Sequence, residues 1–185
     1  MRLNLGCGYD RMDGYLNVDK EAGCQPDKIQ DLENLPWDFK SDSVDHIVLS
    51  HVLEHLGNTT DTYLSIMQEL YRICKPDAKI DIRVPHPRHD DFLTDPTHIR
   101  PILPGQFNMY SKKNNKLWRE QGIANTPLGD YLDIDFEVAD ITWVPDDKWI
   151  QRLQDGALTS AELADKAEHE FNIIKEVKIQ LKVIK

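Results

Sequence analysis

Residues 43–85 switch hydrophobic period twice, and no other feature restricts the fold of this chain so tightly. Ser43–Ser50 is an apolar, partly β-branched run (Val44, Ile47, Val48, Leu49), the pattern of a buried strand. Across Asn58–Cys74, the residues Tyr63, Ile66, Met67, Leu70, Tyr71 and Cys74 fall at i, i+3, i+4 spacing and predict one apolar helical face. Asn58 is placed to cap that helix and Lys75-Pro76 to stop it. Lys79–Pro85 then alternates apolar with charged residues as a second strand. A strand, a helix and a strand in succession form a crossover and make the two strands parallel.

The same reading places strands at Arg2–Gly6, Tyr15–Asp19 and Lys28–Leu32, and two more at Phe136–Val144 and Glu176–Ile184. The last two suit an antiparallel pair, and Thr159-Ser-Ala-Glu162 between them is a capping box that opens a short helix. Residues 86–130 have no clean period and are too long for a plain connection; such loops in compact domains are usually functional. A chain of 185 residues is of the size one core serves, so a single domain over 1–185 is expected, with 86–130 as an irregular insertion.

Composition narrows the partners. There are 22 Lys+Arg against 32 Asp+Glu, a formal charge of −10, which disfavours a protein built to grip phosphate backbones. Only Lys112, Lys113, Lys116 and Arg119, clustered around Trp118, keep RNA open as a minority partner. The three cysteines, Cys7, Cys24 and Cys74, form no CxxC, and His51-Val-Leu-Glu-His55 has its acid misplaced for a zinc-protease HExxH. No metal is therefore expected. No apolar run approaches the roughly 20 residues of a membrane helix, and the start of the chain lacks a signal-peptide core, so the cytoplasm is the expected compartment.

The sharpest local signal is Leu3-Asn4-Leu5-Gly6-Cys7-Gly8, a strand running into a Gly-x-Gly turn. Glycines allow positive φ and let the backbone approach a ligand with no Cβ in the way. Such a turn at the carboxyl end of a parallel sheet is where nucleotide-like ligands bind. Asp19, at the end of the second strand, is the expected partner for a pair of ribose hydroxyls, since one carboxylate accepts both hydrogen bonds. A dinucleotide fingerprint would need a third glycine where Arg11 stands, and no Walker A sequence occurs. A ligand with ribose but without pyrophosphate fits better.

Taken in order, Leu-Asn-Leu-Gly-Cys-Gly (3–8), Leu-Asn-Val-Asp (16–19), Asp-Leu-Glu-Asn-Leu-Pro-Trp (31–37), Ser-Val-Asp-His-Ile-Val-Leu-Ser-His-Val-Leu-Glu-His-Leu (43–56) and Glu-Leu-Tyr-Arg-Ile-Cys-Lys-Pro-Asp-Ala (69–78) resemble the class I S-adenosylmethionine-dependent methyltransferases, most closely the small "type 11" branch. The resemblance implies an α/β, Rossmann-like, doubly wound, mostly parallel sheet with an antiparallel C-terminal strand, and S-adenosylmethionine as cofactor. It implies that Gly6, Cys7 and Gly8 line the amino-acid end of the cofactor and that Asp19 holds the ribose. Asp31 would then meet the adenine amino group with Leu32 beside the ring, and Ser50 and His51 would flank the methionine portion. Asp10 replaces the family's usual third glycine, and about eight residues, Cys7–Gly14, are left for the first crossover, so its helix is cut to a turn.

Substrate recognition is then expected from the loop after Pro85, where His86, His89 and His98 lie among Asp90, Asp91 and Asp95. Methyl transfer to a hydroxyl requires alignment and removal of a proton, and histidine has the pKa for the second task. His86 or His89 is the expected general base, with Arg88, Asp90 and His98 on the substrate; turn-capping and cation binding compete as roles for the same side chains. The expected function is O-methylation of a small molecule or sugar. A non-catalytic protein that binds S-adenosylmethionine or S-adenosylhomocysteine is the alternative, and an RNA methyltransferase the other.

Overall fold

In the computed structural model, which describes residues 1–185, seven strands hydrogen-bond into one sheet. They are β1 Arg2–Leu5, β2 Leu16–Asp19, β3 Lys28–Ile29, β4 Val44–Ser50, β5 Cys74–Pro85, β6 Phe136–Pro145 and β7 Ile174–Val183, in spatial order β3-β2-β1-β4-β5-β7-β6. The first five are parallel, and β7 inserts antiparallel between β5 and β6. Strand order runs outward in both directions from β1 and β4, so the doubly wound, mostly parallel sheet with an antiparallel C-terminal strand is present.

Right-handed crossovers send the β1→β2→β3 connections over one face and β4→β5 over the other. The second face is covered by α1 (Thr60–Ile73), whose Tyr63, Ile66, Met67, Leu70 and Ile73 are buried. Thr59, not Asn58, caps α1: its Oγ1 accepts the Thr62 N–H at 3.1 Å. The helix stops at Ile73 and the chain passes directly into β5, with the backbone irregularity taken up by Asp77 at φ +62°. On the first face the crossovers have shrunk to turns, with one 3-10 turn at Ala22–Cys24. The strands are accordingly apolar on one side only. Leu5, Leu49, Ile82 and Ile179 lie in register in the core, while the alternating residues carry polar groups that bond to one another. Asn4 Nδ2 donates to Asn17 Oδ1 (3.0 Å), and His46 Nε2 and Gln180 Nε2 both reach the Asp81 carboxylate (2.8 Å each).

The 86–130 segment is irregular only in part, chiefly over 94–103 and 122–127. It contains α2 (Asp90–Leu93), α3 (Pro104–Phe107), α4 (Lys112–Gln121) and α5 (Leu128–Leu132). Ile102, Phe107 and Tyr110 extend the apolar layer to Phe136 of β6. Helix α6 (Asp147–Gln154) and α7 (Ser160–His169) form a satellite cluster with Trp149, Leu158, Leu163, Ile173 and Ile174. The expected capping box opens α7: Thr159 Oγ1 accepts from Glu162 N–H, and the Glu162 carboxylate accepts from Thr159 N–H. No helix is long and apolar enough to cross a membrane.

Candidate active site

The carboxyl ends of β1, β2 and β4 surround a cavity of about 390 Å³. Gly6 forms its floor at φ +67°; a Cβ there would lie 2.5 Å from Val52 Cγ2, so the turn admits only glycine without moving the wall. The N–H groups of Gly6 and Cys7 both donate to Val18 O, which locks the turn to β2. Gly8 N–H donates to Asp19 Oδ2 (2.8 Å) and Glu21 N–H to Asp19 Oδ1 (2.9 Å). One oxygen of Asp19 is thus fixed from each side, and each retains lone-pair capacity toward the cavity, the arrangement needed to accept two vicinal hydroxyls.

Across the cavity, Asp31 accepts the Glu33 N–H at 2.9 Å in an Asx turn, and Leu32 is buried beside it, its carbonyl held by Trp37 Nε1 at 3.0 Å. Val52 and Leu56 supply apolar wall, and His51, His55 and Thr97 close the remaining side. His51 adopts φ +55°, a left-handed conformation that a side chain other than glycine rarely takes. Its ring stands between two carboxylates, with Nδ1 3.6 Å from Glu54 Oε1 and Nε2 3.1 Å from Glu176 Oε2. Glu54 raises the His51 pKa above the ordinary histidine value; burial opposes and Glu176 adds to the rise.

Of the residues expected at the cofactor, Gly6, Asp19, Asp31, Leu32 and His51 are brought to this cavity, and Gly8 acts on it through Asp19. Cys7 and Ser50 are not. The Cys7 side chain is buried behind the turn, where burial pushes its thiol up. Ser50 alternates out to the polar face of the sheet, in a second cavity with Asn4, Asp81 and Arg83.

The expected base residues His86 and His89 lie away from this cavity. His86 is buried against Trp143 (ring centroids 5.8 Å apart) at a separate cavity beside α7, and its Nδ1 accepts the Arg88 N–H at 3.1 Å. Burial, with Arg88 and His89 adding, lowers its pKa to about 4. His89 caps α2: Nδ1 accepts the Asp91 N–H at 3.1 Å and Nε2 faces Asp146 Oδ2 at 3.3 Å. His89 spends both ring nitrogens on the fold, and His86 spends its Nδ1. Arg88 donates to the Ala167 and Glu168 carbonyls at the end of α7, and Asp90 exchanges two hydrogen bonds with Asn172. These hydrogen bonds tie the loop to α7 and to the segment before β7.

Of the expected loop residues only His98 comes near the site, behind Thr97 and beside His55 and Glu54. Glu54 carries its side chain into the interior, fully buried, with no hydrogen-bond partner on either carboxylate oxygen. One ligand atom each from Glu54, His55 and His98 lies within 4.8 Å of the others. The loop is held there by Ile99 and Arg100 N–H groups, which both donate to Glu54 O at 3.1 Å. A buried acid beside two histidines is the signal that could have marked this cluster, but it depends on a loop that crosses more than forty residues of sequence.

The sheet order, the glycine turn and the acid fixed at the end of β2 are arranged as in the class I S-adenosylmethionine-dependent methyltransferase fold, and the amino-terminal part of the chain matches a methyltransferase family. Residues 4–81, which run from β1 into β5, match the family described as methyltransferase domain, the type 11 family. Among solved structures, a SAM-dependent methyltransferase from Archaeoglobus fulgidus superimposes with a TM-score of 0.62 at 16% identity, covering 98% of this chain and 85% of its own. One from Mesorhizobium loti gives a TM-score of 0.52 at 14% identity, covering 98% and 89%. The curated proteins offer no match. The turn that excludes a Cβ at Gly6 and the pinned Asp19 carboxylate fit the cofactor, which needs a ribose partner and no phosphate cradle.

Proposed function

We propose that this enzyme methylates a hydroxyl group of a small, uncharged acceptor such as a sugar, and that His51 takes the hydroxyl proton. The observation that carries the reading is the His51 ring, held in strained backbone at the end of β4 and flanked by Glu54 and Glu176 on the wall of the cofactor cavity. A proton received there is stabilised by the two carboxylates. Asp19 and the Asp31–Leu32 corner hold the ribose and adenine ends, leaving the methionine end toward His51. Bound S-adenosylmethionine supplies a sulfonium methyl, whose carbon bonds the acceptor oxygen while the sulfur keeps the electron pair of the broken bond. Asp19, Asp31 and Glu33 line the cavity beside Lys20 as its cation, which supports a neutral acceptor over an anionic one.

The test joins calorimetric titration with S-adenosylhomocysteine to methyl-transfer assays over a panel of hydroxylated acceptors. His51→Gln is expected to bind S-adenosylhomocysteine within about threefold of the parent. Its turnover should fall by 10²–10⁴, the ordinary contribution of a general base. Full turnover in His51→Gln would remove the base, and transfer to nitrogen acceptors alone would remove the hydroxyl.

A further inference from the structure

We propose that Glu54, His55 and His98 form a binding site for one divalent first-row transition cation on the wall of the cofactor cavity. Two imidazoles and one carboxylate suit such ions, of which Zn²⁺, Mn²⁺ and Co²⁺ are representative. The chain carries the site in three independent respects.

The first is the buried charge. Glu54 is fully buried and neither of its oxygens accepts a hydrogen bond, whereas buried carboxylates are ordinarily paired or coordinated. His51 Nδ1, 3.6 Å from Oε1, is too distant for a hydrogen bond, and the contact that ring makes with a carboxylate at hydrogen-bond distance is Nε2 to Glu176.

The second is the ring state of the two histidines. His98 Nδ1 lies 2.9 Å from the Phe92 carbonyl, which can only accept, so Nδ1 bears the proton. Thr97 gives its hydroxyl proton to Asp95 Oδ1 at 2.6 Å, so its Oγ1 accepts from His55 Nδ1 at 2.9 Å. Both rings therefore donate from Nδ1 and are left with Nε2 as the free nitrogen. A backbone carbonyl or a hydrogen-bonded oxygen behind Nδ1 is the outer support that metal-binding histidines use to fix ring orientation.

The third is mutual position. Ligand atoms of the three residues fall within 4.8 Å of one another, and the two rings meet edge to face with centroids 4.6 Å apart. Bonds of about 2.1 Å in tetrahedral geometry place ligand atoms roughly 3.4 Å apart, so small side-chain rotations close the site. Asp95 Oδ2, 3.7 Å from His98 Nε2, adds negative charge at the outer edge.

The cation would lie next to the space that His51, His55 and Thr97 line, His55 being the ligand shared with that cavity wall. Bound to the acceptor hydroxyl, it would lower the pKa of that hydroxyl and place it beside His51. This role rests on the methyl-transfer reading above; the binding site does not.

The experiment is titration of chelator-treated protein with Co²⁺ and with Zn²⁺, followed by calorimetry and, for Co²⁺, by its visible absorption. S-adenosylhomocysteine binding is measured on the same samples. The parent is expected to take one ion, and Glu54→Gln and His98→Asn each to weaken binding at least tenfold. Both variants should retain S-adenosylhomocysteine affinity within threefold and melt as cooperatively as the parent. Failure of the parent to bind either ion, or unchanged binding in both variants, overturns the site. Ion binding that persists while S-adenosylhomocysteine fails to bind leaves the site standing and removes the methyl-transfer reading.

Discussion

At the scale of single residues, histidines with similar surroundings in the sequence have opposite fates, and burial decides which. His86, whose pKa is lowered to about 4, stays neutral in the fold at acidities where the unfolded chain takes a proton at about 6.5. A depressed histidine pKa means that the unfolded state binds more protons below pH 6.5. Stability contributed by neutral His86 is therefore complete above about 6.5 and is lost progressively as pH falls toward 4. Urea denaturation at pH 7 and pH 4.5 should show a loss of roughly 1–3 kcal/mol attributable to this residue. In His86→Asn, which keeps an acceptor for the Arg88 N–H, that part of the pH dependence should vanish. The Pro-His-Pro-Arg-His run could not reveal this role, because it depends on Trp143 and α7, which reach His86 only through the fold. Gly6 was legible because its constraint is local: strand, turn and positive φ lie within six residues.

At the scale of elements, the parts fixed by apolar period were legible and the parts fixed by polar ties were not. Helix α1 declares itself by its buried stripe, and β4, β5 and β7 by alternation. Helix α4 buries only Asn115, so no hydrophobic period exists to be read. It is built from its ends instead. Ser111 caps the first turn through Asn114 N–H, and Gly122 at φ +66° takes the left-handed position after the last. That serine-to-glycine spacing was the available signal. A similar polar tie orders the connection between β3 and β4. The buried Glu69 carboxylate of α1 accepts from Trp37 N–H (2.6 Å) and from Arg72 Nε (2.8 Å), while Arg72 Nη2 also holds Trp37 O. Trp37 is buried, and its Nε1 donates to Leu32 O at the cofactor cavity. Glu69→Ala leaves the Trp37 amide without its partner inside the fold, so unfolding free energy should drop by roughly 2–4 kcal/mol. The lower end reflects the partial exposure of Arg72. Denaturation midpoints should move while the m-value holds, and S-adenosylhomocysteine affinity should fall with them because Leu32 loses its support.

At the scale of the molecule, charge decides which acceptors approach. The excess of acids is general, and three of the four cations in the basic cluster that kept RNA open face acids, Lys113 being the exception. Lys112 bonds to Asp133, Arg119 to Asp130, and Lys116 lies 4.0 Å from Glu120. Phosphate binding draws its strength from cations free to displace counterions, and each pair here would have to be broken first. The open polar face of the sheet tells the same way. Its cations Arg83 and Lys178 lie near Glu176, and its interior is a hydrogen-bonded layer of Asn4, Asn17, His46, Asp81 and Gln180. Fluorescence anisotropy of a labelled single-stranded RNA at 50 mM salt should therefore show no saturation below about 10 μM, where typical non-specific RNA-binding surfaces already bind. Saturable binding that weakens steeply with salt would reverse this conclusion. It would return the acceptor search to nucleic acid, with α4 as the first surface to mutate. A flat titration leaves the site to acceptors that enter an acidic cavity without carrying phosphate, the chemistry that Asp19, Asp31 and Glu33 admit.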